Sequence, residues 1–203
     1  MKLETYIENE IIPRYIGFDR AHGPEHAKSV IDRSLKLAEI YGLDLRMVYA
    51  AAAYHDTGLA EGRERHHLVS GRIIREDRML REWFTEEQIE TIAEAAEDHR
   101  ASAAREPRSI YGRVLAEADR QIDPELTVRR TVQYGLSHYP EMGKEEHWRR
   151  MLEHLQEKYA EGGYLKLLIP ESDNAHRLEE LRSLMKDRSR LREIFEKEYS
   201  EGA

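Results

Sequence analysis

The sequence predicts an all-α protein, a helical bundle with a C-terminal helical extension. Three observations carry this. Apolar residues recur every three to four positions along most of the chain, strand-like alternation is scarce, and helix-start signals stand before several of the periodic runs. The bundle is expected over residues 1–125 and the extension over 126–203, packed on it as one compact domain.

Residues 2–16 read as an opening helix that Pro13 kinks or ends early, because proline removes a backbone donor. Gly23-Pro24 is a good helix start, since proline at the first helical position loses no needed N–H. Behind it His26, Val30 and Leu37 share a face. The Ala-rich run 45–54 puts Val48, Ala52 and His55 on one face, so His55 points inward. Thr57-Gly58 then breaks the helix, where a turn would present His55 and Asp56 to a pocket.

His66-His67 opens a helix that continues through Ile73 and Ile74 toward Leu80, and at least one of the two imidazoles should face inward. Residues 85–88 fit a capping box, followed at helical spacing by Ile89, Ile92, Ala96 and His99. In 109–121 Leu115, Asp119 and Ile122 fall on one face, which puts a carboxylate where the pattern calls for an aliphatic residue. Asp123-Pro124 is an N-cap with proline behind it and starts a helix toward Tyr139. Residues 140–143 read as a loop. The next helix, 144–160, carries a stripe of Trp148, Leu152, Leu155 and Tyr159 and ends at Gly162-Gly163. The apolar stretch 164–169 fits either a helix turn or an edge segment. Leu178, Leu181 and Leu184, then Leu191, Ile194 and Phe195, mark two further helices.

Composition narrows the function classes. The 203 residues suffice for a substantial core, and 40% hydrophobic content is ordinary for a soluble protein. The absence of cysteine excludes disulfides, thiolate zinc sites and a cysteine nucleophile, and fits the cytoplasm. With no signal-peptide pattern and no apolar run near 18 residues, neither secretion nor a membrane partner is expected. A net charge of −8 weighs against nucleic-acid partners, which need a basic face.

Chemistry concentrates in the inward polar residues: His26, His55, His99, one of His66 and His67, and the carboxylates Asp56 and Asp119. Buried singly, each needs its own hydrogen-bond partner, whereas one or two divalent cations would satisfy them together. A metal site is therefore the economical reading. His138, His147, His154 and His176 lack carboxylate partners on an apolar face and receive no metal role. The neighbours of His147 and His154 suggest a solvated surface.

The stretches His22-Gly23-Pro24-Glu25-His26-Ala27-Lys28-Ser29-Val30, Ala51-Ala52-Ala53-Tyr54-His55-Asp56-Thr57-Gly58 and Ala116-Glu117-Ala118-Asp119-Arg120 resemble, in order, the motifs of the HD superfamily of metal-dependent phosphohydrolases. Ser29 stands where that family often carries arginine. The resemblance implies His26, His55, Asp56 and Asp119 as metal ligands. In its two-metal branches, two further histidines complete a second site, here His67 and His99. The implied centre has His26, His55 and Asp119 on one ion, His67 and His99 on the other, and Asp56 bridging ions roughly 3.5 to 4 Å apart. Spacing alone leaves His66 and His67 both open, because one residue near a helix start rotates a side chain by about 100°. If His67 is the ligand, His66 reaches the substrate.

Histidine and carboxylate donors without thiolate suit iron or manganese, ahead of nickel, cobalt, magnesium or zinc. Lys28, Arg100 and Arg120 are the candidate phosphate contacts, with Arg100 ranked first. The expected partner is a small phosphorylated substrate such as a nucleotide, cleaved by metal-activated water with Asp56, His66 and Arg100 in the catalytic set. The extension could supply a lid, a substrate-selecting wall or a homodimer surface. The same ligand pattern also resembles HD-type diiron oxygenases, and a noncatalytic nucleotide sensor is the third reading.

Overall fold

A computed structural model describes residues 1–19, 22–102 and 105–202. These form ten α-helices and no strand. No helix among them is long and apolar enough to cross a membrane. The chain divides into two compact units, one of Met1–Arg120 with Leu168–Ser172, the other of Gln121–Leu167 with Asp173–Ala203.

In the first unit, α1 (Leu3–Tyr6) runs into a π-helical stretch, Ile7–Ile11, and then a 3-10 helix, Ile12–Gly17. The single opening helix expected over 2–16 is thus three short pieces. Pro13 has no N–H to bond the carbonyl one turn back, so the ladder widens before it and tightens after it. The helices α2 (Pro24–Ile40), α3 (Leu45–Tyr54), α4 (His66–Glu76), α5 (Glu86–Asp98) and α6 (Ile110–Asp119) follow. Pro24 opens α2 at its first turn, and Thr85 and Gln88 form the reciprocal capping box of α5.

One boundary departs from the pattern. The helix starting at His66 ends at Glu76 rather than continuing to Leu80, because the Asp77 carboxylate accepts from Met79 N at 2.9 Å and starts a separate 3-10 turn, Arg78–Glu82. Its other oxygen, Oδ2, accepts from the hydroxyls of Tyr6 at 2.8 Å and Tyr54 at 2.5 Å. Burial, then the bond to Asp77, pushes the Tyr6 pKa up to about 12 and lifts that of Tyr54 further.

Both tyrosines hold their protons more tightly folded than unfolded. Their contribution is complete below pH ~10, the ordinary tyrosine pKa, and is lost as pH rises through the raised values. Urea unfolding at pH 9, 10 and 11 should therefore show falling stability. In Tyr54→Phe the slope should flatten by up to ~1.4 kcal/mol per pH unit. An identical slope in wild type and variant would remove Tyr54 from the linkage.

The core of this unit is built from small and aliphatic faces. The run Ala50 to Ala53 on α3 is 0–2% exposed, so α2 packs on α3 and α6, and α5 packs on α3, α4 and α6. The segment Leu168–Ser172 belongs here as well. It is irregular, with residues 165–169 in neither helix nor strand and 170–172 turning, so the helix-turn alternative for 164–169 falls away. Ile169 is 2% exposed in the core, and the buried Glu117 of α6 accepts from Leu168 N at 2.6 Å and Ser172 Oγ at 2.5 Å.

The second unit packs α7 (Pro124–His138) with α8 (Lys144–Tyr159), α9 (Asn174–Lys186) and α10 (Arg188–Gly202). Asp123 caps α7 by accepting from Leu126 N at 2.8 Å. Val128, Val132, Met151, Leu155, Leu191 and Phe195 form its core. His147 corrects the sequence reading. It is 2% exposed and lies against Tyr199, where charged neighbours had suggested a solvated face.

Candidate metal centre

Six chemistry-bearing side chains of the first unit meet where five helices begin or end. His26 lies in the first turn of α2, His55 caps the C-terminus of α3 with Asp56 next, His66 opens α4, His99 caps α5, and Asp119 ends α6. Three of these are helix C-termini, each carrying roughly −0.5 elementary charge from unpaired carbonyls, which favours a cation.

The Asp56 carboxylate stands at the centre. Its Oδ2 is 3.3 Å from His55 Nε2 and 3.6 Å from His26 Nε2, while its Oδ1 is 3.3 Å from His66 Nε2 and 3.4 Å from His99 Nε2. Asp119 Oδ1 joins the first group, 3.2 Å from His26 Nε2 and 3.8 Å from His55 Nε2. The donor atoms of His26, His55 and Asp56 lie within 4.8 Å of one another, and so do those of Asp56, His66 and His99. Two metal-sized clusters therefore share one carboxylate, each oxygen facing its own histidine pair.

The imidazoles are oriented for cation binding. His55 Nδ1 donates to Ala52 O at 2.7 Å, His66 Nδ1 to Arg63 O at 2.7 Å, and His99 Nδ1 to Ala96 O at 2.6 Å. The Ala52 and Ala96 carbonyls belong to last helical turns and lack intrahelical partners, so the histidines satisfy them. With Nδ1 carrying the proton, each Nε2 turns a lone pair inward. His26 and His55 Nε2 are 3.3 Å apart, and His66 and His99 Nε2 are 3.2 Å apart. Lone pairs facing at that distance repel unless a proton or a cation lies between them, so the donor set fits divalent metal.

The electrostatics agree. Burial pulls the His55 pKa down, but the neighbouring carboxylates of Asp56 and Asp119 outweigh it and raise it to about 9. Burial would lift the carboxyl pKa values of Asp56 and Asp119, yet the facing histidines hold both well below the usual carboxylate range. The cluster has two committed negative charges and calls for positive charge, which protons or metal ions can supply.

Supporting residues fix Asp56 itself. The buried Tyr15 hydroxyl donates to Ala53 O at 2.9 Å and accepts from Asp56 N at 3.2 Å. Ser70 Oγ of α4 accepts from Gly58 N at 2.9 Å, tying the turn after Asp56 to the helix that carries His66. Neither residue stood out in the sequence, since a tyrosine and a serine in helical runs carry no local sign of a polar duty.

Among the expected site residues, His26, His55, Asp56, His99 and Asp119 come together. His67 does not. Helix α4 starts with His66 pointing inward, and the rotation of about 100° per residue turns His67 away. There its Nδ1 is buried without a hydrogen-bond partner, and burial followed by the charge of Arg100 lowers its pKa to about 4. His66 stands where His67 was expected, with its Nε2 3.3 Å from Asp56 Oδ1 and 3.2 Å from His99 Nε2.

The candidate phosphate contacts divide as well. Arg100 donates to Glu64 O at 2.9 Å and lies near enough to His66 and His67 to lower both pKa values. Arg120 is half-buried beside Asp119, with Nε and Nη1 inaccessible and without a hydrogen-bond partner. Lys28 is not brought to the cluster. Two residues after His26, it falls about 200° around α2, where it is half-exposed and pairs with Glu25 at 3.7 Å.

The HD domain family model matches residues 24–121. Among solved structures the chain is similar to one from an uncultured Thermotogales bacterium, described as a predicted HD superfamily hydrolase. Identity is 20% and the TM-score 0.50, over 75% of this chain and 90% of that one. At that identity the likeness is one of fold. No curated protein matches.

Proposed function

We propose that this chain, a member of the HD superfamily through the domain spanning residues 24–121, is a dinuclear metal-dependent phosphohydrolase acting on a nucleotide or another small phosphate ester. The observation that carries this reading is the shared carboxylate: Asp56 faces two histidine pairs with its two oxygens. His26, His55 and Asp119 would hold one ion, His66 and His99 the other, and Asp56 both. Iron or manganese suits this oxygen and nitrogen donor set.

Bound there, the ions would supply a hydroxide at neutral pH and Lewis-acid contacts for phosphate oxygens. The chain's own residues do the rest. The Nδ1 bonds of His55, His66 and His99 keep each ring in one tautomer, so little reorganises when charge arrives. Tyr15 holds the Asp56 backbone and so the carboxylate between the two pairs. Arg100 stands on the His66 side and Arg120 beside Asp119, so these two arginines are the proposed phosphate contacts, Arg100 first.

The test is elemental analysis of protein purified without oxygen, followed by phosphate release from a panel of nucleotides with iron or manganese. Two ions per chain and anaerobic phosphate release are expected. Turnover of a carbon substrate only with dioxygen would replace the reading with an oxygenase, and nucleotide binding without turnover at full metal loading with a sensor.

A further inference from the structure

The two ligand groups sit on different helices. His26, His55, Asp56 and Asp119 sit on α2, α3 and α6, whose faces are buried in the core. His66 and His99 belong to α4 and to the end of α5. The chain leaves α5 at His99, and the next helix, α6, starts at Ile110.

What closes that excursion is an ion network. Asp98, immediately before His99, has a side chain 3% exposed and accepts from Arg108 N at 2.8 Å, Arg108 Nε at 2.9 Å, Arg108 Nη2 at 3.0 Å and Arg105 Nη2 at 3.0 Å. Arg108 also donates to Glu94 Oε1 at 3.0 Å and Glu97 Oε2 at 2.6 Å. Glu97 in turn accepts from Arg75 of α4 at 2.5 Å. Gly71 of α4 leaves room for this, since a Cβ there would stand 2.5 Å from Glu97 Oε1. One chain of charges thus joins α4, the end of α5 and the residue two before α6.

We infer that Arg108 is a positioning residue for the second ion, clasping the end of α5 to α4 so that His99 and His66 converge on Asp56 Oδ1. The inference rests on the dinuclear reading. Among the described residues the hydrogen bonds of Arg108 go to the α5 segment 94–98, and none goes to a first-ion ligand. Asp119 lies at the far end of α6, about 15 Å along the helix from its start. Losing the clasp therefore loosens one ligand pair and spares the other.

The experiment is Mn²⁺ titration of chelator-stripped protein by calorimetry, with thermal unfolding recorded alongside. Wild type should bind two ions. Arg108→Gln should weaken the second by about 10- to 100-fold, the range for losing an outer support, and leave the first within about twofold. Arg108→Lys keeps charge but cannot bridge three carboxylates with a fixed fork, so its second-ion affinity should fall between the two, and it carries the test if the glutamine variant does not fold.

Arg192→Gln, which breaks a comparable network in the second unit with Glu145 and Glu196, should change neither affinity. Two wild-type ions with an unchanged second affinity in both Arg108 variants would overturn the clasp alone. So would equal weakening of both ions. One ion in wild type would overturn the dinuclear reading beneath it.

Discussion

Asp56→Ala should strip both ions from the protein and abolish turnover. Each oxygen of Asp56 faces one histidine pair, so the truncation removes a donor from both clusters at once. The loss of affinity for each ion should exceed the roughly 10- to 100-fold typical of an outer-shell partner. It also removes the carboxylate that does most to raise the His55 pKa, so the His55 ring should favour its neutral form. Asp56→Asn separates charge from shape, because it fills the same space without the negative charge and should still fail to retain metal. His154→Ala, outside the cluster, should keep metal content and activity. Elemental analysis and phosphate release on the three variants check this. Full metal content in Asp56→Ala would end the bridging assignment, and equal losses in Asp56→Ala and His154→Ala would point to general destabilisation instead.

Gly58→Ala should have the largest effect of any single-methyl change near the site. A Cβ at this position would stand 2.1 Å from His66 O, 2.7 Å from Ser70 N and 2.9 Å from Val69 Cβ, so α4 itself would have to move. Backbone cannot yield as a flexible side chain can, and overpacking of this kind costs about 1–3 kcal/mol, here near the upper end. For a chain of this length that is a fall of about 6–12 °C in Tm. The same shift carries His66 away from Asp56, so the second ion should be lost before the first. Thermal unfolding and metal titration read the two effects separately. An unchanged Tm would show that the joint between residues 57–61 and α4 tolerates a side chain.

Much of this architecture was legible before any coordinates. Pro24 at a helix start, the Thr85–Gln88 box and Asp123 before Pro124 are local signals, and each marks a helix start in the structure. The inward placement of His55, His99 and Asp119 followed from periodicity alone, because a face repeating every 3.6 residues must point one way. His66 against His67 did not follow. At a helix start a single residue decides the direction, and the choice falls to the Nδ1 bond with Arg63 O and to the packing of Gly58 on α4. The break at Asp77 was hidden for a similar reason. Its carboxylate collects the hydroxyls of Tyr6 and Tyr54, contacts 71 and 23 residues away that no local pattern contains.

The sequence by itself determined most of the helices, the caps at Pro24, Thr85 and Asp123, and the set of histidines and aspartates available for a metal, because these depend on residues within a turn or two of each other. Only the tertiary structure decided that six of them converge, that Asp56 stands between two pairs, that Glu117 anchors Leu168–Ser172, and that His147 is buried. Those outcomes depend on which helix ends meet, and meeting is set by the long-range packing of small faces against one another rather than by any run of neighbouring residues.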